Sequence, residues 1–207
     1  MLRATLFAMM AYLIGAFPSS FLAGRARGVD LRRRGSGNLG AANVYRTLGG
    51  RMAGLVVVVD VAKGFIPVWF FPVWDGAVSP SWSLMYGLLA IFGHVWSVFT
   101  RLHGGKGVAT ACGVLLALEP LAAVIGVLTW SGLILLTGIA SVASLAAVSI
   151  IPLITYAAAA PGDVILFATL MALLVWWTHR HNVRRLLRRE EPRLGEPLRR
   201  RKGEGKR

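Results

Sequence analysis

Long apolar blocks run through this chain, divided by short polar stretches. The blocks cover roughly residues 4–24, 52–72, 82–100, 108–118, 121–137, 144–160 and 164–178, to be compared with the ~20 residues that one bilayer crossing needs. The pattern predicts transmembrane helices. The fourth block is short. Joining Val108 to Leu136 as one crossing, broken at Glu119-Pro120, is the alternative, and it would place the C-terminal tail on the side opposite the first polar loop.

Charge decides between the two. The segment from Arg25 to Arg51 holds Arg25, Arg27, Arg32, Arg33, Arg34, Arg46 and Arg51 against Asp30 alone, and the tail from His179 holds twelve Lys or Arg against four Glu. Positively charged segments stay on the cytoplasmic side, so an even number of crossings must separate these two. The expected fold is therefore all-α: a polytopic membrane protein of seven transmembrane helices, N-terminus outside and C-terminus cytoplasmic. Trp74-Asp75-Gly76, Glu119-Pro120 and Pro161-Gly162-Asp163 become external turns, and every glycine-rich or polar motif falls on the cytoplasmic side.

Composition supports this class. In 207 residues, 56% are hydrophobic and only 15% charged, with a mean hydropathy of +0.62, beyond what an ordinary soluble domain carries. The lone Cys112 lies in an apolar run, which excludes an intramolecular disulfide and a cysteine metal cluster. The formal charge of +14 sits beside the spans, where arginines fix topology and meet anionic headgroups, so no nucleic-acid partner is expected. The first apolar run lacks a convincing small-residue cleavage site and is kept as a helix. Residues 1–187 are read as a single transmembrane catalytic domain. Residues 188–207, with Pro192, Gly195, Pro197 and Gly203, are read as a basic, disordered cytoplasmic tail.

The most telling polar stretch is Gly35-Ser-Gly-Asn-Leu-Gly-Ala-Ala-Asn-Val-Tyr-Arg46, with a partner at Gly104-Gly-Lys-Gly107. Glycine-rich loops carrying Asn, Ser, Arg and Lys form no core, but they can hold phosphate. Two nucleotide readings fail. Gly35-x-Gly37-x-x-Gly40 matches a dinucleotide fingerprint but follows Arg32-Arg33-Arg34 instead of a strand, and Thr100 and Gly107 stand where a Walker loop needs Gly and Ser or Thr.

Six motifs in order carry a resemblance from Gly15 to about Leu187: Gly35-Ser-Gly-Asn-x-Gly-x-x-Asn-x-x-Arg46, Asp60-x-x-Lys-Gly64, Gly93-His94, Gly104-Gly-Lys-Gly-Val-Ala-Thr110, Ser141-x-x-Ser144 and His179-x-x-Asn182. On these the chain resembles the bacterial acyl-phosphate:glycerol-3-phosphate acyltransferases, the PlsY family of integral membrane enzymes. The resemblance implies seven helices, active-site loops on the cytoplasmic face of the inner membrane, and acyl transfer from acyl phosphate to the 1-hydroxyl of glycerol 3-phosphate. The product is lysophosphatidic acid, and neither acyl carrier protein nor coenzyme A is required. Ala42 stands where the family usually has Thr, and Ser97 where it often has proline; both affect loop shape more than chemistry.

Roles follow from residue type. Ser36, Lys106, His179 and Asn182 are the expected catalytic residues, and Asn38, Asn43, Arg46, Gly104, Gly105, Gly107, Ser141 and Ser144 the expected substrate-binding ones. The loop 104–107, with Ser36 and Asn38, is assigned to the donor phosphate, its N–H groups and Lys106 stabilising the leaving anion. Arg46 offers a guanidinium fork to glycerol 3-phosphate, while Asn43 and Asn182 can hold hydroxyls or cap helices. His179 is the candidate base, with His94 its rival and the substrate phosphate a third acceptor for the proton. Asp60, Lys63 and His94 are read as structural supports. Ser141 and Ser144 suit phosphate donation and helix packing equally. No cofactor is called for, and no Asp, Glu, His or Cys cluster has metal-ligand spacing. An anion or phosphate-ester transporter is the competing class, although transporters place broken helices and charges near the midplane.

Overall fold

The computed structural model describes residues 2–76 and 80–195, and every regular element among them is helical. The helices are α1 (Leu2–Ala16), α2 (Ser19–Ala26), α3 (Ala41–Leu48), α4 (Gly50–Asp75), α5 (Pro80–Val95), α6 (Val108–Leu118), α7 (Pro120–Thr137), α8 (Ala140–Ala157), α9 (Gly162–Thr178) and α10 (Arg180–Leu187). Pro18, which lacks an N–H, separates α1 from α2. The two together form one apolar stretch, Leu2–Ala26.

Five segments are long and apolar enough to cross a membrane: Leu2–Ala26, Gly50–Asp75, Ser81–Thr100, Pro120–Thr137 and Ala140–Ala157. A sixth arises if α9 and α10, bent by 58°, count as one. The 11 residues of α6 reach about 16 Å, half of a ~30 Å hydrocarbon layer. The outer surface is apolar. Leu135 and Leu136 of α7 are 86% and 83% exposed, as a lipid-facing helix requires.

Small residues allow close helix crossings, as between α4 and α6. A β-carbon on Gly64 of α4 would fall on the Thr110 carbonyl, and one on Gly113 of α6 would fall on that of Val61. With neither present, α4 and α6 approach backbone to backbone. Val68, Ile91, Val114, Phe167 and Met171 fill the centre between α4, α5, α6 and α9. A second cluster, including Leu31, Leu39, Val44 and Val56, anchors the polar segment between α2 and α4.

Contacts fix the direction of each helix. Leu115, near the end of α6, packs with Ala122 and Ala123 at the start of α7, while Trp130, late in α7, donates to Ser144 early in α8 at 3.1 Å. The chain therefore reverses at Glu119-Pro120, and the start of α6, the end of α7, the start of α8 and the end of α9 meet at one end of the bundle. At the opposite end the Tyr86 hydroxyl donates to Asp75.

The C-terminal segment is informative as far as it is described. Residues 188–195 fold back over the bundle, and the Leu194 N–H donates to the Gly138 carbonyl at 2.8 Å. This stretch was expected to be disordered, but specific bonds hold it against the α7–α8 turn. Residues 196–207, the rest of the expected tail, lie outside the described residues.

Candidate active site

At the end where the polar loops meet, a cavity of about 370 Å³ opens between α3, α4, α6, α7 and α8. Its polar mouth gathers Ser36, Asn38, Arg46, Lys106, Ser141, Ser144, His179 and Asn182, and its deeper wall is apolar, with Val61, Leu115, Gly126 and Ile151. Motifs spread from position 36 to 182 thus share one space.

Lys106 forms the centre of the mouth. Its ammonium donates to the Asn182 side-chain oxygen, and the Asn182 amide in turn donates to Glu191 at 2.5 Å. Burial first, then the nearby positive charges of Arg185 and Arg46, pull its pKa down to about 8, against the support of Glu191. The Lys106 carbonyl accepts from Thr178 at 3.1 Å, which ties the loop to the end of α9.

His179 occupies the break between α9 and α10 and is buried. Its Nδ1 lies 2.8 Å from the Val175 carbonyl. A carbonyl only accepts, so Nδ1 carries the proton and the Nε2 lone pair is left unprotonated. Burial, reinforced by the charge of Lys106, lowers its pKa to about 4, so the ring is neutral near pH 7 and can accept a proton.

Arg46 comes from α3. It donates to the Pro192 carbonyl at 3.0 Å, and among the described residues its buried Nε has no partner. Burial lowers its pKa, with Arg185 adding to the effect and Glu191 opposing it.

Three expected substrate contacts are corrected. The N–H groups of Gly104 and Gly105 donate to the carbonyls of Val95 and His94 at 3.0 and 3.1 Å, so they do not cradle an anion, and neither residue lines the cavity. These glycines instead permit close packing, because a β-carbon on Gly104 would strike the His94 carbonyl and one on Gly105 the His94 ring. The part of that loop facing the cavity is Lys106, Gly107 and the first turn of α6, where a helix start favours negative charge. Asn43 is the third. Its amide donates to the carbonyls of Leu31 and Arg34, both at 3.1 Å, and accepts from the Ser36 N–H at 2.9 Å. It shapes the loop that presents Ser36.

The supports form their own cluster. Asp60 accepts from Ser19 at 2.6 Å and pairs with Lys63 at 2.8 Å, with His94 Nδ1 3.8 Å away. Lys63 also donates to the Phe17 carbonyl at 3.2 Å. Asp60 and His94 reach the cavity wall, and His94 lies beneath Gly105.

Sequence reasoning missed Glu191 and Arg185. The Glu191 carboxylate accepts from Ser141 at 2.9 Å and from Arg185 at 2.6 Å as well as from Asn182. No periodicity or motif distinguishes it within its charged, proline-containing surroundings.

Comparisons with known proteins give the family. A family model described as Glycerol-3-phosphate acyltransferase matches residues 5–189. A glycerol-3-phosphate acyltransferase of Prochlorococcus marinus is 38% identical over 191 residues, covering 90% of this chain and 96% of its own. One from Geotalea daltonii is 40% identical over 176 residues, covering 85% and 90%. Among solved structures, PlsY (YgiH), an integral membrane glycerol 3-phosphate acyltransferase, matches in its glycerol 3-phosphate form with a TM-score of 0.86, 37% identity and coverage of 92% and 94%. Its lysophosphatidic acid form matches with a TM-score of 0.84 and 36% identity. These relatives favour acyl transfer over the transporter reading. In fold and in sequence over nearly its whole length, this chain belongs to the glycerol-3-phosphate acyltransferase family.

Proposed function

We propose that this acyltransferase takes its acyl group from acyl phosphate and passes it to the 1-hydroxyl of glycerol 3-phosphate, with no need for coenzyme A or acyl carrier protein. The observation that carries the reading is one cavity with a cationic polar mouth and an apolar interior, matching an acceptor phosphate and a donor that joins phosphate to a fatty chain. The acceptor hydroxyl attacks the carbonyl carbon, a new carbon–oxygen bond forms, and the bond to the phosphate oxygen breaks, its electron pair leaving with phosphate. The hydroxyl proton goes to the unprotonated His179 Nε2 or to the phosphate itself. Lys106 and the start of α6 stabilise the leaving anion, Arg46 grips the acceptor phosphate, and Ser36, Asn38 and Asn182 orient the groups between them.

We infer also an N-terminus outside, a C-terminus inside and a site at the cytoplasmic face of a bacterial inner membrane; the reversal at Glu119-Pro120 supports an even number of passes between the two arginine-rich segments, with the short α6 counted as one of seven. Helix direction places the arginine-rich segment and α10 at one end of the bundle, and positive charge marks that end as cytoplasmic. Residues 1–187 supply the helices of the catalytic unit on this reading, and the segment that carries Glu191 and Pro192 packs onto its mouth.

The test is turnover by purified protein in detergent. Acyl phosphate with glycerol 3-phosphate is expected to give lysophosphatidic acid and free phosphate, and acyl coenzyme A little product. Comparable rates from the two donors would refute the donor assignment.

A further inference from the structure

The residue that most needs explaining is Glu191, a carboxylate inside a site built for anions. Its side chain is 3% exposed. One oxygen accepts from Ser141 Oγ and Asn182 Nδ2, the other from Arg185 Nε. The strap that carries it is held on both sides: the Pro192 carbonyl takes Arg46, and the Leu194 N–H is bonded to Gly138.

We infer that Glu191 is a positioning residue of the acyl-transfer site, holding Ser141, Asn182 and Arg185 in the arrangement that receives the phosphate-bearing substrate. This rests on reading the mouth of the cavity as a phosphate site. Three features favour a permanent support over a displaceable plug. First, the carboxylate is nearly enclosed, and its bonds go to two helices: to Ser141 of α8, and to Asn182 and Arg185 of α10. Second, it leaves Arg46, which lines the cavity, with one buried donor, Nε, that has no partner among the described residues. Third, the charge matches. Arg46, Lys106 and Arg185 with Glu191 leave two net positive charges, suited to a phosphomonoester of about −1.5 to −2.

Glu191 also acts on Lys106 through Asn182, which accepts from the lysine and donates to the glutamate. The charged and titratable groups that interact with Lys106 are Arg46 from α3, His179 at the α9–α10 break, His181 and Arg185 from α10, and Glu191, while Asp60 from α4 and His94 from α5 line the same cavity. Of the two carboxylates, Asp60 is already engaged by Lys63 and Ser19. Glu191 is therefore the one left to favour the lysine cation.

The experiment compares wild type, E191Q and E191D in detergent, with acyl phosphate as donor, measuring kcat, KM for glycerol 3-phosphate, the pH profile and thermal stability. Inactive wild type would refute the donor assignment before Glu191 is tested, and the same constants are then read with whichever donor supports turnover. E191Q is expected to raise KM by about tenfold or more, the scale of a lost charge-assisted bond. It is also expected to shift the alkaline limb of activity to lower pH by roughly half a unit or more. E191D keeps the charge, so its limb stays at the wild-type pH while KM rises from the shortened reach. A lower KM in E191Q would identify Glu191 as a competing occupant, and unchanged KM and pH profile would make the strap incidental; either overturns the inference. If E191Q does not fold, E191D decides: raised KM with an unmoved limb supports positioning, and wild-type KM refutes it.

Discussion

Gly105 lies against the imidazole of His94, and its N–H donates to the His94 carbonyl at 3.1 Å. The close fit ties the loop carrying Lys106 to the end of α5, where His94 also faces Asp60.

Gly105→Ala is expected to lose activity through packing, because the new methyl overlaps a buried ring. Overpacking of this kind costs typically about 1–3 kcal/mol, and the displaced loop moves Lys106 with it. Combining it with His94→Ser should recover part of the lost stability, since the two side chains then no longer collide. Thermal unfolding of both single variants and the double variant checks this. Strictly additive losses would show that the two residues do not meet.

His179→Gln is expected to lower kcat by about 10²–10⁴-fold, the range for removal of a general base, with a smaller change in KM. The depressed pKa has a sign. The unfolded ring binds a proton below about 6.5, whereas the folded ring stays neutral to about 4, so between those values the unfolded state holds more protons. Acidification across this window should destabilise wild type more than the Gln variant, as read from melting temperature against pH.

Lys106 makes activity and stability move in opposite directions. Its pKa falls from 10.5 to about 8 in the folded protein, so from pH 8 to 10.5 the unfolded state binds the extra proton and this group favours folding more as pH rises. On the proposed role of Lys106, catalysis uses the cation and should decline over the same interval. Lys106→Ala should be impaired at every pH and lose this alkaline limb. A limb unchanged in that variant would assign it to another group.

Arg46→Lys keeps the charge but not the fork. One donor goes to Pro192 and Nε has no partner among the described residues, so a lysine cannot serve both directions. We expect KM for glycerol 3-phosphate to rise by about tenfold while kcat changes little. Kinetics with the acceptor varied at saturating donor would measure it, and a loss confined to kcat would place Arg46 in the chemical step.

Apolar blocks and the charge of the segments between them carried the helices into view, and the break at Glu119-Pro120 followed from charge parity. Residue type singled out Lys106, His179 and Asn182, which restrict chemistry, and these three meet at one cavity. The site was not legible at Gly104 and Gly105. An absent β-carbon signals an open phosphate loop and a tight helix contact equally, and only the position of His94 separates the two. Asn43 misled in a related way, since its amide suits a ligand and a loop carbonyl alike. Glu191 was hidden because its bond to Ser141 spans 50 positions from a stretch with no period to mark it.

The apolar part of the cavity reaches the outside of the bundle. Val57 of α4 and Val127 of α7 both line it, and they are 40% and 46% exposed on the lipid-facing surface. With the donor proposed above, the enzyme is a catalyst at a phase boundary, meeting one substrate in three dimensions and the other in two. Its rate with respect to the fatty donor should follow mole fraction in the bilayer instead of bulk concentration, so inert lipid added at constant total donor would slow it. The lysophospholipid formed can diffuse sideways into the leaflet without entering water.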